Sequence, residues 1–119
     1  MELTARKMTK IIDELVVFFF RVGSTGINMN LKRMEDGYVL TLKTDYDPAQ
    51  RKQVEDLKKF FTAIEKNEGL EEFFWQLAGV SATGNDSEIH LIGQMVEVMK
   101  LEVTDDTVEM ALYKKKKSA

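Results

Sequence analysis

The chain has 119 residues, 44% of them hydrophobic, a formal net charge of −3, one histidine, one proline and no cysteine. That length sets one domain, and that hydrophobic content is enough for a real core. The acidic balance argues against a general nucleic-acid binder, and the lack of cysteine excludes disulfides, thiolate metal sites and a thiol nucleophile.

Residues 2–22 read as a helix. Met8, Ile11, Ile12, Leu15, Phe18, Phe19 and Val22 form one broad apolar face, with Asp13, Glu14 and Arg21 mostly on the other. The run Val16 to Phe20 is β-prone by composition, but the helical period starts well upstream and meets no breaker before Gly23. Glu2, Arg6 and Lys7 precede any apolar run, which reads against a signal peptide. The longest apolar run, Leu15 to Phe20, is too short to span a bilayer. A cysteine-free chain suits a reducing cytoplasm, the expected location.

Two strands follow. Ile27, Met29 and Leu31 alternate with Asn28, Asn30 and Lys32, and Tyr38, Leu40 and Leu42 alternate with Val39, Thr41 and Lys43. Glu35-Asp36-Gly37 between them is a hairpin signal. One polar and one apolar face per strand predicts a sheet covered by helices on one side only. Asp47 caps and Pro48 opens the next helix, whose stripe Val54, Leu57, Phe60, Phe61 and Ile64 runs to about Lys66. A shorter helix over roughly 70–79 groups Leu70, Phe73, Phe74 and Leu77, with Trp75 to the side, and residues 79–85 form a loop.

Asp86 or Ser87 caps a third helix of this half, in which Ile89, Ile92, Met95, Val96 and Met99 make one stripe. A closing hairpin follows: Leu101 and Val103, a turn at Asp105-Asp106, then Val108, Met110 and Leu112. Residues 114–119, led by Lys114–Lys117, read as a basic, solvated and disordered tail. The order α-β-β-α-α-α-β-β predicts one α+β domain over 1–113, a two-layer sandwich. Its four-stranded mixed sheet carries helices on one face, with a helical insertion at about 48–79.

This order, with these lengths, resembles a histidine-kinase-like (GHKL) ATPase domain, and within that class the small anti-sigma-factor serine kinases. The resemblance spans about Thr4 to Tyr113 and rests on element order and three registers. In that family a long helix carries Glu-x-x-x-Asn, the first hairpin ends in Asp-x-Gly-x-Gly, and Gly-x-Gly opens the last helix. Here Glu14 matches the glutamate, and Phe18 stands where the magnesium-binding asparagine should be. Asp45 matches the adenine-reading aspartate, but Asp47 and Ala49 replace the two glycines after it. Asp86 and Glu88 fall on the glycines of the last motif. A phenylalanine offers magnesium no oxygen. Two carboxylates beside phosphates cost on the order of 1 kcal/mol per close pair even in bulk water, and only glycines allow the close approach of bare amides.

The resemblance therefore implies a degenerate scaffold: not an enzyme, without cofactor, retained as a regulatory protein-interaction module. Its partner would be a protein, a second copy included, and not nucleic acid or a membrane. The expected surfaces are the first helix and the 48–79 insertion, with Phe20, Phe60, Phe61 and Trp75 as aromatics that a single core cannot all absorb. Two alternatives stand beside it. One is an active serine kinase using ATP and magnesium, with Glu14 as base and Asp45 on adenine. The other is an α+β domain with a small ligand between sheet and helices. The remaining polar features have plainer readings. His90 is a helix residue beside Glu88, Asp45 and Asp47 are a turn and a cap before they are a cation site, and the polar strand face of Asn28 and Asn30 is open to solvent or to a partner.

Overall fold

The computed structural model describes residues 3–62, 92, 93 and 95–116. In chain order they form α1 (Leu3–Arg21), β1 (Ile27–Arg33), β2 (Gly37–Asp45), a 3-10 turn (Pro48–Gln50), α2 (Arg51–Thr62), β3 (Glu97–Val103) and β4 (Thr107–Lys115). The sheet has the order β1-β2-β4-β3, and all three pairings are antiparallel. This corrects the expected mixed sheet. Each hairpin contributes its second strand to the centre, and the two second strands run in opposite directions. Their registers stack Leu40 on Leu112, Leu42 on Met110 and Thr44 on Val108, so the most apolar strands receive neighbours on both sides.

The core lies between one face of this sheet and the two helices. Met8, Ile11, Leu15 and Phe19 of α1, Val54, Leu57 and Phe61 of α2, and Leu40, Leu42, Met110 and Leu112 of the sheet are buried together. Phe18 is buried as well, its ring edge-on to Phe19 with centroids 5.2 Å apart. α1 ends as the sequence implies, with Gly23 in the left-handed region at φ 86° and the Ser24 amide donating back to the Phe19 carbonyl at 2.9 Å. Asp47 accepts from the Ala49 amide at 3.0 Å, so the cap before Pro48 is formed.

Three sequence expectations need correction. The helix carrying Ile89 to Met99 does not reach Met99. Ile92 and Gly93 are helical, Met95 and Val96 form a bend, and β3 begins at Glu97. Ile92, Met95 and Val96 of that stripe are buried, and the Met95 amide donates to the Ile92 carbonyl at 2.9 Å, so the spacing belongs to a turn that ends where β3 begins. Met99, at the β-bulge between Val98 and Lys100, is 62% exposed.

Second, the basic tail starts later than expected. Lys114 pairs with Tyr38 and Lys115 with Gly37, because β4 must match the nine residues of β2, and Lys114 is buried. Third, Glu14 is buried on α1 rather than on the outer face, as are Thr4 and Lys7. The Asp36-Gly37 hairpin turn forms as the sequence predicts, and its glycine provides room. Among the described residues only Gly23 has positive φ, whereas a side chain at Gly37 would meet the Tyr113 ring at 2.9 Å and the Lys114 carbonyl. The expected helix over 70–79, the loop 79–85, the cap at Asp86 or Ser87, and His90 lie outside the described residues, as do Trp75 and the Phe60 side chain. No helix among the described residues is long and apolar enough to cross a membrane.

Candidate functional site

The end of β2 is the densest polar junction among the described residues. The Asp45 carboxylate accepts the Thr25 amide at 2.8 Å and the Gly26 amide at 3.2 Å, and it also takes the Thr25 hydroxyl. Ser24 donates its hydroxyl to the Asp45 carbonyl at 2.6 Å, and the Asp47 amide donates to the Val22 carbonyl at 2.8 Å. The loop that ends α1 is thus tied to the strand end from both sides. Gly23 sits against Asp47, where an added Cβ would come within 2.8 Å of the Asp47 Cβ. Tyr46, between the two aspartates, points the other way. Its ring is buried, its hydroxyl donates to the Thr104 carbonyl at 2.5 Å, and its amide donates to the Asp106 carbonyl at 3.0 Å. Arg51, at the start of α2, pairs with Glu55 at 2.9 Å and with Asp105. Three consecutive residues therefore join the α1 loop, the end of β2 and the β3–β4 turn.

The motif positions singled out in the sequence do not assemble into one pocket here. Glu14 pairs with Lys10 at 2.8 Å, one turn back on its own helix. It lies seven residues before the end of α1, roughly 10 Å along the axis from the loop that Asp45 holds. Phe18 is a core ring. Asp45 and Asp47 are close in space, but each carboxylate answers backbone amides. Asp86 and Glu88 lie outside the described residues. Among the described residues no three carboxylate or imidazole groups converge as metal ligands would.

Donors from three directions favour the charged form of Asp45, and its pKa is lowered, first by the Thr25 hydroxyl and then by the Thr25 and Gly26 amides. A carboxyl whose folded pKa is depressed adds stability above its unfolded pKa and loses it as pH falls through the folded value. Acid titration is therefore expected to weaken the wild type below about pH 4. The Asp45→Asn variant should be less stable at neutral pH and should show a shallower acid limb, as read by urea midpoints across pH 3–7. Equal slopes in the two proteins would remove Asp45 from the junction's energetics.

The candidate partner aromatics separate cleanly. Phe20 is 66% exposed on the outer side of α1, with Val17 one turn before it at 36%. Phe61 is buried at 1% and is withdrawn from any surface, because it completes the α2 stripe with Val54 and Leu57. The other face of the sheet is polar, and a depression of about 420 Å³ runs over it, lined by Asn28, Asn30, Thr41, Lys43, Lys100 and Glu109. Lys100 and Glu109 pair across it at 3.0 Å, which raises the one pKa and lowers the other. Alternation along the strands marked this face in advance. The sequence marks Asp45 but not its partners Thr25 and Gly26, which lie about twenty residues away in a loop. No family model, curated protein or solved structure matches the chain.

Proposed function

We propose that this chain is a non-catalytic module that works by holding a protein partner, with Phe20 and Val17 on the outer side of α1 as the anchor. One contrast carries the reading. The described acidic groups that nucleotide chemistry would need are engaged by a neighbouring lysine or by backbone amides, whereas Phe20 stands on the outer side of α1 at 66% exposure. Exposed aromatics supply large contact area at low entropic cost and are the usual anchors of protein interfaces. The same reading extends to ancestry: a histidine-kinase-like scaffold whose nucleotide positions now carry structural side chains. The interaction role stands on the geometry alone, whichever ancestry holds. The cysteine-free composition supports a reducing, cytoplasmic setting.

The test pairs stability with contact. Phe20→Ser is expected to change unfolding free energy by no more than about 0.5 kcal/mol, as at an ordinary surface position. A photo-crosslinker placed at Val17 should then capture one discrete protein in cells and lose it when Phe20→Ser is added, while the same probe at Lys52 on α2 captures none. A core-sized loss of stability on Phe20→Ser, or equal capture from both probe positions, would make Phe20 a structural residue and end the proposal.

A further inference from the structure

The two edges of the sheet are not alike. The β3 edge is blunted by the bulge between Val98 and Lys100 and by Glu97, Lys100 and Glu102, common devices against unwanted pairing. The β1 edge has none of these through its first five residues. Ile27 to Arg33 pairs with β2 in unbroken register, without bulge or proline, and no described strand lies on its outer side. The Met34 amide donates to the Gly37 carbonyl at 2.8 Å, which fixes the alternation of the hairpin. Asn28, Asn30 and Lys32 then turn their backbone groups toward β2, and Ile27, Met29, Leu31 and Arg33 present theirs outward. Leu31, on the helix-covered face at this edge, is 44% exposed.

We infer that the β1 edge is a self-pairing surface, on which a second copy of this chain adds its own β1 antiparallel across a twofold axis at Asn30. Two features select a second copy. The strand is self-complementary about Asn30: only that register overlaps all seven residues and engages every outward amide and carbonyl. It sets Met29 against Leu31 of the second copy and Asn28 against Lys32, so apolar meets apolar on one face and no like charges meet on the other. It also brings the second copy's Arg33 to the strand end where the Asp45 carboxylate lies on the Thr25 and Gly26 amides. The result is one continuous eight-stranded sheet. The inference uses the strand edge and not α1, so it stands or falls apart from the proposed function.

The absence of native cysteine makes the test clean. Directly opposed residues of a non-hydrogen-bonded pair have Cα atoms about 4.5 Å apart, within disulfide range. Asn30→Cys is therefore expected to oxidise to a disulfide dimer of twice the 13.7 kDa chain mass at low micromolar concentration. Asn28→Cys and Lys32→Cys, which face other residues, should link at least tenfold more slowly. By sedimentation the wild type should be a dimer. Met29→Pro, which removes an outward amide and spares the β2 ladder, should be monomeric with unchanged far-ultraviolet circular dichroism, and Leu31→Lys should also be monomeric. A wild type monomeric at several hundred micromolar, equal linking at 28, 30 and 32, or a dimer that survives both edge variants would overturn the inference.

Discussion

Phe19→Ala is expected to lower unfolding free energy by about 3–5 kcal/mol, the range for truncating a buried aromatic. Phe19 has no exposed surface and sits where α1 meets the sheet. It also gives Phe18 an edge-to-face neighbour, a contact worth about 0.5–1.5 kcal/mol beyond area. Few chains of this size have more than about 5–15 kcal/mol in total. The variant should therefore melt on the order of 10–20 °C lower and unfold at a clearly reduced denaturant midpoint. Its value lies in the comparison with Phe20→Ser one residue on, expected to be nearly silent. Two adjacent phenylalanines with opposite outcomes would locate the boundary between core and anchor within one residue. Similar losses at both positions would place Phe20 in the core.

Tyr46→Ala should be comparably damaging, about 3–5 kcal/mol, because it empties a buried aromatic site and cuts the link between β2 and the β3–β4 turn. Tyr46→Phe separates the two contributions. It keeps the ring and removes only the hydroxyl on the Thr104 carbonyl, and since Thr104 is exposed to water the cost should be about 0.5–1.5 kcal/mol. Burial, the largest cause, raises the Tyr46 pKa. A group with a raised folded pKa contributes its stability below the unfolded value and loses it as pH rises through the folded one. Wild type should accordingly weaken above about pH 10, and Tyr46→Phe should weaken less. Tyr113, also raised by burial first, leaves a residual alkaline dependence in that variant. Identical alkaline limbs in the two proteins would show that Tyr46 ionises freely in the fold.

What could be read from the sequence follows from the range of each signal. α1 and the two hairpin turns are set by local periods and fall within one or two residues of expectation, while the cap and proline at Asp47-Pro48 open a 3-10 turn and α2 follows three residues later. Burial along those elements was equally legible where the period was clean, as at Leu40, Leu42, Met110 and Leu112. The stripe of Ile92, Met95 and Val96 marks a real turn, but its end at Glu97 has no local spelling, because Met99 continues the spacing of three while standing exposed in β3. Glu14 was misplaced because its burial depends on a lysine one turn away covering the charge. The direction of β4 against β2, and the hold of Asp45 on Thr25 and Gly26, are long-range facts with no local spelling. The resemblance reads Asp45 as an adenine contact, and in the structure its carboxylate holds the Thr25 and Gly26 amides of the neighbouring loop.

On the proposed reading, the described acidic positions serve the fold and not a nucleotide. The most direct measurement is thermal unfolding of the whole chain with and without millimolar ATP and magnesium. A ligand at one hundred times its dissociation constant adds about 2.7 kcal/mol, a shift of several degrees in a domain of this size. Wild type is expected to give coincident curves with and without the nucleotide. A clear magnesium-dependent shift that disappears in Asp45→Asn would contradict that reading, and would return Glu14 and Asp45 to the roles of base and adenine contact.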